Sequence, residues 1–373
     1  MSQWIKTKLG EIVILNYGKA LKAQDRNAGS IPVYSSGGLT GWHNKALINE
    51  QGIIIGRKGT VGKAYLTYGP FWCIDTAYYI LPNPSKYDFV FLFYLLKTLG
   101  LEELNEDSAV PGLNRDTAYS QEILLPSLPE QKAIASVLSS LDDKIDLLHR
   151  QNKTLESMAE TLFRQWFILD STGVSVSIDQ IIDFNPKRTL IKSQDATYLD
   201  MAGLSTVIFR ANGYYRRPFS SGTKFIKRDT LLARITPCLE NGKAAYIDFL
   251  DDNETGWGST EFIVMRPKKE IHPFISYIMC RNPDFKEYAE SCMEGSTGRQ
   301  RVNLDHLKKF NVNLPTEASL RIINELLDSF ESKLINNSKQ IDSLEKLRDT
   351  LLPKLMSGEV RVQYAEEAIA SVA

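Results

Sequence analysis

The chain lacks most of the features that announce a chemistry. Its four cysteines, Cys73, Cys238, Cys280 and Cys292, are scattered, with no C-x-x-C and no nearby histidine pair. That excludes a recognisable zinc site or disulfide framework and fits a reducing cytoplasm. No apolar stretch approaches the ~20 residues of a membrane span. The opening Met1-Ser2-Gln3-Trp4-Ile5-Lys6 has no charged lead before an apolar run, so no secretory leader is expected. Charge of one sign is absent too: 44 basic side chains meet 45 acidic ones, a net charge of −1. The four histidines, His43, His149, His272 and His306, have no ligand or triad spacing, so they read as surface or core filling and no metal is expected. What remains is a 373-residue chain, 43% hydrophobic and 24% charged, ordinary globular material for two or three domains.

Enzyme signatures fail on inspection. Gly56-Arg57-Lys58-Gly59-Thr60-Val61-Gly62-Lys63-Ala64 resembles a phosphate loop only superficially: Arg57 stands five residues before Gly62, and Ala64 replaces the Ser or Thr that holds magnesium. Asn282-Pro283-Asp284-Phe285 is one residue away from the Asn-Pro-Pro-Phe tetrapeptide of adenine methyltransferases. No glycine-rich cofactor loop accompanies it, and it reads as a chance tetrapeptide in a loop. No catalytic constellation is left.

The charge is unevenly spread: net +1 over 1–128, −3 over 129–179, +4 over 180–313 and −3 over 314–373. Both acidic blocks carry a heptad seam, with apolar gaps alternating four and three. The first runs Ile134, Leu138, Leu141, Ile145, Leu148, Asn152, Leu155, Ala159, Leu162, Trp166. The second runs Ile323, Leu327, Phe330, Leu334, Asn337, Ile341, Leu344, Arg348, Leu351, Leu355. Ser127, Pro129 and Glu130 form a start signal for the first helix, Pro315-Thr316-Glu317 opens the second, and Pro353 is expected to kink its last turn.

The seams are offset by 189 residues, and the repeat extends upstream. Leu125-Pro126 matches Leu314-Pro315, Asn114 matches Asn303, and Asp116 matches Asp305. With small insertions, Arg57 and Gly62-Lys63-Ala64 recur as Arg234 and Gly242-Lys243-Ala244. Trp72 recurs as Trp257, and Ile12–Asn16 as Ile181–Asn185. The chain is therefore one internal duplication, and a pseudo-twofold molecule is expected. Antiparallel pairing of the helices, with residue numbers summing to 489, sets Asn152 against Asn337 and Arg348 against Leu141, near an end where water is in reach. Parallel pairing would bury two unpaired amides at ~1–3 kcal/mol each. An antiparallel pair within one chain is favoured over an intermolecular one. Its 33-residue seam is ~50 Å long. The globular blocks read as α+β: strands at Gly52–Gly56 and Trp72–Leu81, helices at Phe89–Leu101 and Pro273–Cys280.

Two basic, aromatic-interleaved patches at equivalent places make nucleic-acid contact the candidate function. The first patch holds Lys19, Lys22, Arg57, Lys58 and Lys63, with the Ser35 and Ser36 loop among them. The second holds Arg210, Tyr214, Tyr215, Arg216, Arg217, Lys224, Arg234 and Lys243, and Arg299 and Arg301 are a further candidate contact.

These features together resemble the specificity (S) subunit of type I restriction–modification systems. The residues that carry the resemblance are Gly112-Leu113-Asn114 leading to Leu125-Pro126-Ser127-Leu128-Pro129-Glu130-Gln131-Lys132-Ala133-Ile134, Ser296-Thr297-Gly298-Arg299-Gln300-Arg301 leading to Leu314-Pro315, and the closing Leu352-Pro353-Lys354-Leu355-Met356-Ser357-Gly358-Glu359-Val360. The second helix departs from the pattern, with Glu317-Ala318-Ser319-Leu320 where the first has Pro129-Glu130-Gln131-Lys132. The resemblance implies target-recognition domains over 1–126 and 171–314, separated by helical spacers over 127–170 and 315–360, with a flexible tail over 361–373. It implies a non-catalytic reader of a split double-stranded DNA site, docking two methyltransferase subunits and the restriction subunits. S-adenosylmethionine, ATP and magnesium would then belong to those partners. The helical pair would set the gap between half-sites. Two other classes stay open: a stand-alone DNA-modifying enzyme, and a coiled-coil scaffold without a DNA role.

Overall fold

The computed structural model describes residues 4–104, 112–170, 172–296, 298–363 and 365. It divides into two units, Met1–Asp146 with Gln340–Ala373, and Leu147–Lys339. Each unit combines one globular domain with a stretch of both long helices.

In the first unit the domain is closed by a ladder between its ends, Ile5–Lys8 antiparallel to Glu122–Leu125. Its centre is a four-stranded sheet in the order Asn16–Tyr17, Ala77–Ile80, Gly52–Gly56, Ala64–Thr67. Ile53, Ile54 and Ile55 are wholly buried, as a continuous apolar run demands of a central strand covered on both faces. A three-stranded sheet places Ile31–Ser35 between Gly38–His43 and Trp72–Cys73, the last pair parallel. The strand expected over Trp72–Leu81 is thus two: the Ala77 amide bonds back to the Ile74 carbonyl in a turn, and the halves join different sheets. The following helix, Phe89–Thr98, ends short of the expected Leu101 and is capped by Asp88, which accepts from the Phe91 amide at 2.9 Å.

The second unit repeats the closing ladder and the central sheet, while Thr223–Ile226 adds a fourth strand to its smaller sheet and Met293–Glu294 pairs with Arg301–Val302. Val174–Ser177 pairs with Asn311–Leu314, and the central sheet runs Ile182–Phe184, Phe262–Pro267, Thr230–Ala233, Ala244–Tyr246. Tyr198 pairs in parallel with Trp257 where Val33 pairs with Trp72. The repeat reaches single hydrogen bonds: Leu113 donates to the Arg57 carbonyl, and Val302 to that of Arg234, both at 2.8 Å. Gly62 and Gly242 both sit at positive φ, +76° and +71°. A Cβ on Gly62 would lie 2.3 Å from the Leu101–Glu102 backbone. The glycines of this segment therefore serve a tight turn. Asn282, read as part of a loop, instead caps the helix Pro283–Ser291 by accepting from the Phe285 amide.

The long helices span Leu128–Phe163 and Glu317–Ser357, the second continuing through Pro353. They pair antiparallel within the chain. In the second unit Asn337 Nδ2 donates to Asn152 Oδ1 at 2.9 Å, and Asn152 Nδ2 to Ser338 Oγ at 3.3 Å. In the first unit Arg348 donates to Asp142 at 2.8 Å. Arg348 thus finds a carboxylate rather than the water expected for it. Seam residues Ile134, Leu138, Leu141 and Leu148 are buried, as are Ile323, Leu327, Leu334, Leu344 and Leu355. The first seam departs from expectation at its end. The helix passes into a π-helical turn, Arg164–Leu169, so the buried positions become Phe163 and Phe167, stacked at 5.3 Å, while Trp166 is only half-buried.

Candidate nucleic-acid interface

In the first unit Arg57 follows the buried central strand, which fixes its backbone. Its guanidinium donates to the Asp75 carbonyl at 2.6 and 3.2 Å and lies over the rings of Tyr17 and Tyr78. Arg115 covers Tyr17 as well, 5.4 Å from the ring centroid, so that ring carries two guanidiniums. These residues, with Lys58, Asn114 and Asp116, line a cleft of about 310 Å³. Lys19, Lys22, Lys58 and Lys63 are exposed, and none forms an ion pair with a described residue. Ser36 is buried. Ser35 is half-buried, its hydroxyl turned to the Gly38 carbonyl at 3.4 Å, so the pair shapes the hairpin between Ile31–Ser35 and Gly38–His43. Burial and the hydrogen bond with Tyr17 push the Tyr78 hydroxyl upward, so it stays a neutral donor, here to the Leu113 carbonyl.

In the second unit the equivalent cations are largely compensated. Arg301 grips Glu261 with three bonds of 2.7–3.0 Å, and Arg234 lies 3.8 Å from the same carboxylate. The Arg301 hydrogen bonds hold the Glu261 carboxyl below its ordinary range. Arg216 pairs with Asp195 at 2.9 Å and Glu254 at 3.3 Å, in a cleft of about 530 Å³ that also contains Asp251. That larger cleft is net acidic and unsuited to phosphate. A smaller one, about 340 Å³, is lined by Arg188, Lys224, Arg234, Asn185, Thr223 and Thr260 and has the right polarity.

Two of the sequence-predicted contacts have internal work. Arg210 lies 2.8 Å from buried Asp248, and Lys243 donates to the Met201 carbonyl at 3.0 Å. Of the aromatics, exposed Tyr214 stacks on Phe249 at 3.9 Å, and Tyr215 packs edge-on against Tyr198. Arg217 is exposed and lies over Tyr198 and Trp257. Arg299 is exposed on the loop before Arg301. The sequence reading missed Tyr17, Arg115 and Arg188. Only Arg115 had a signal, its place directly after Asn114.

Burial pushes the thiols of Cys73 and Cys280 up to about 12, so both are protonated and poor nucleophiles. His272, Asp328 and Glu331 do come within ligand distance of one another, but the Arg228 guanidinium lies against the cluster and supplies its positive charge. Among the described residues no helix is long and apolar enough to cross a membrane.

Comparison with known proteins bears on all of this. The type I restriction modification DNA specificity domain matches residues 1–157 and again 172–346. The chain is 27% identical over 319 residues to the type I restriction enzyme MjaIX specificity subunit of Methanocaldococcus jannaschii, covering 73% of this chain and 69% of that protein. It is 26% identical over 204 residues to the EcoEI specificity subunit of Escherichia coli, covering 51% of this chain but only 34% of that protein. Its fold is that of the type I restriction-modification system S subunit from M. genitalium, with a TM-score of 0.62 at 19% identity over 95% and 96% of the two chains. Two matches in tandem, over the two copies already visible in strand order and hydrogen bonding, place the chain in the type I restriction-modification DNA specificity family.

Proposed function

We propose that this chain is the DNA-specificity subunit of a type I restriction–modification complex, acting in the cytoplasm. Each globular domain, 1–126 and 171–314, reads one half of a split double-stranded site. The helical regions, 127–170 and 315–360, dock two methyltransferase subunits, and restriction subunits complete the assembly. The chain itself is non-catalytic, and S-adenosylmethionine, ATP and magnesium are bound by its partners.

The observation that carries this reading is the recurrence of a cation-bearing cleft beside Arg57 in one copy and Arg234 in the other. The clefts share a frame but differ in side chains, which suits two domains reading unlike half-sites. Arginine and lysine neutralise phosphates, while Asn and Thr at the same edges can pair with bases. The test is to express the chain with its methyltransferase subunits and map methylated adenines. Two short motifs separated by a fixed gap are expected, and exchanging one domain changes one motif only. A continuous motif, or methylation by this chain alone with S-adenosylmethionine, would overturn the assignment.

A further inference from the structure

The duplication allows each unit to serve as a template for the other, and a place beside the long helix that a side chain of the domain fills in one unit is a cleft in the other. In the second unit Arg228, at φ +66°, fills a place between the domain and the Glu317–Ser357 helix. Its Nε lies 3.1 Å from Glu331 Oε1 and 3.2 Å from the Tyr246 hydroxyl, and its Nη2 reaches Glu331 Oε2 and sits 3.5 Å from Asp328. Tyr246 also donates to Glu331 at 2.7 Å.

The strand pairs Ile53↔Leu66 and Thr230↔Tyr246 make Leu66 the counterpart of Tyr246, and Gln51 the counterpart of Arg228. The helical offset makes Ser139 and Asp142 the counterparts of Asp328 and Glu331. In the first unit Leu66, Ser139 and Asp142 line an open cleft of about 390 Å³, walled also by Tyr65, Tyr68, Phe93 and Asp143. No arginine lines it. Asp142 is engaged by Tyr94 and Arg348, but exposed Asp143 has no ion pair among the described residues. Partial burial first, and then the nearby carboxylates of Asp143 and Asp142, raise the Tyr68 hydroxyl. Lys97 already lies over Phe93, which leaves Tyr65 and Tyr68 as walls, and these with the unpaired Asp143 carboxylate suit a guanidinium, whose flat face stacks while its edge pairs.

We propose that this cleft receives an arginine side chain presented by a partner protein, its guanidinium stacking on the tyrosine walls and pairing with Asp143. The proposal does not rest on the DNA reading. Its test uses the full chain and a capped pentapeptide with a single central arginine, against the same peptide with citrulline, the neutral isostere. Titration followed by NMR of the tyrosine ring signals is expected to show saturable arginine binding at least fivefold tighter than citrulline. The surface variant Asp143→Asn with Tyr68→Ala, which keeps the fold by circular dichroism, is expected to weaken it at least tenfold. Affinity for DNA stays unchanged in that variant, which separates this result from the fate of the DNA assignment. Equal binding of the two peptides, or a double variant that binds as well as the wild type, would overturn the proposal. Concentration-dependent dimerisation abolished by the double variant would give the cleft to a second copy and overturn it equally.

Discussion

The two units share the strand order of their central sheets and much of its hydrogen-bond pattern, yet they distribute charge differently. The first leaves Lys19, Lys22, Lys58 and Lys63 in solvent and stacks Arg57 and Arg115 on Tyr17. The second ties Arg301 to Glu261, Arg216 to Asp195 and Arg228 to Glu331. The same frame therefore presents bare cations in one copy of the repeat and largely compensated ones in the other. A phosphate approaching the second unit must compete with a carboxylate already in place. Solvent and salt screen an exposed pair of this kind, so competition is feasible but selective. Duplication preserved the backbone scheme and left the surface free to diverge.

That contrast is open to breaking at several points. The largest effect is expected inside the second unit. Glu331→Ala strips the buried partner from Arg228 and Tyr246 and should cost about 3 kcal/mol by urea denaturation. Its counterpart Asp142→Ala, more exposed and held by fewer bonds, should cost about 1–2 kcal/mol. Equal losses would erase the distinction between the two helix contacts.

Next comes the buried Glu156, which accepts from the Tyr277 hydroxyl at 2.8 Å and whose carboxyl burial raises to about 7. Between its unfolded value of 4.5 and about 7 the folded state holds this proton more tightly than the unfolded state. Folded-state stability from this group is therefore full below pH 4.5 and declines as pH rises to about 7. Glu156→Gln should match the wild type near pH 4.5 and exceed it above pH 7, by up to about 3 kcal/mol, in melting curves across pH.

Smaller effects concern DNA. Replacing both Arg57 and Lys58 by alanine should lower the slope of log affinity against log salt by about 2, whereas Arg301→Ala should leave it nearly unchanged. Glu261→Gln is the subtlest: it releases Arg301 and Arg234 and should tighten DNA binding a few-fold at low salt. Weaker binding by that variant would mean that Glu261 positions the arginines rather than masking them.

Much of the frame was legible before any coordinates. The four-three spacing set both helices, and matching the polar seam positions selected the antiparallel pairing in which Asn152 meets Asn337. Ser338, which completes that polar layer, lies one residue off the seam and carried no periodic signal. The end of the first seam was misread because a π-helical turn inserts extra rotation, handing burial from Trp166 to Phe163 and Phe167. The strand read across Trp72–Leu81 broke because apolar character alone does not mark which sheet a residue joins. Site residues were less legible. Basic composition placed Arg210 and Lys243 beside true surface cations, yet both turn to internal acceptors. Tyr17 and Arg188 belonged to no motif in the sequence and acquired meaning only through neighbours brought from elsewhere in the chain.

What the sequence by itself determined is what short-range periodicity and self-similarity encode: two helical seams, one duplication, and the order of domains and helices along the chain. These follow from 3.5-residue spacing and repeated motifs, which need no knowledge of distant contacts. Only the tertiary structure decided which cations stay free. Glu261 reaches Arg301 across forty positions and Glu331 reaches Arg228 across a hundred and three, and a charge is neutralised by its neighbours in space.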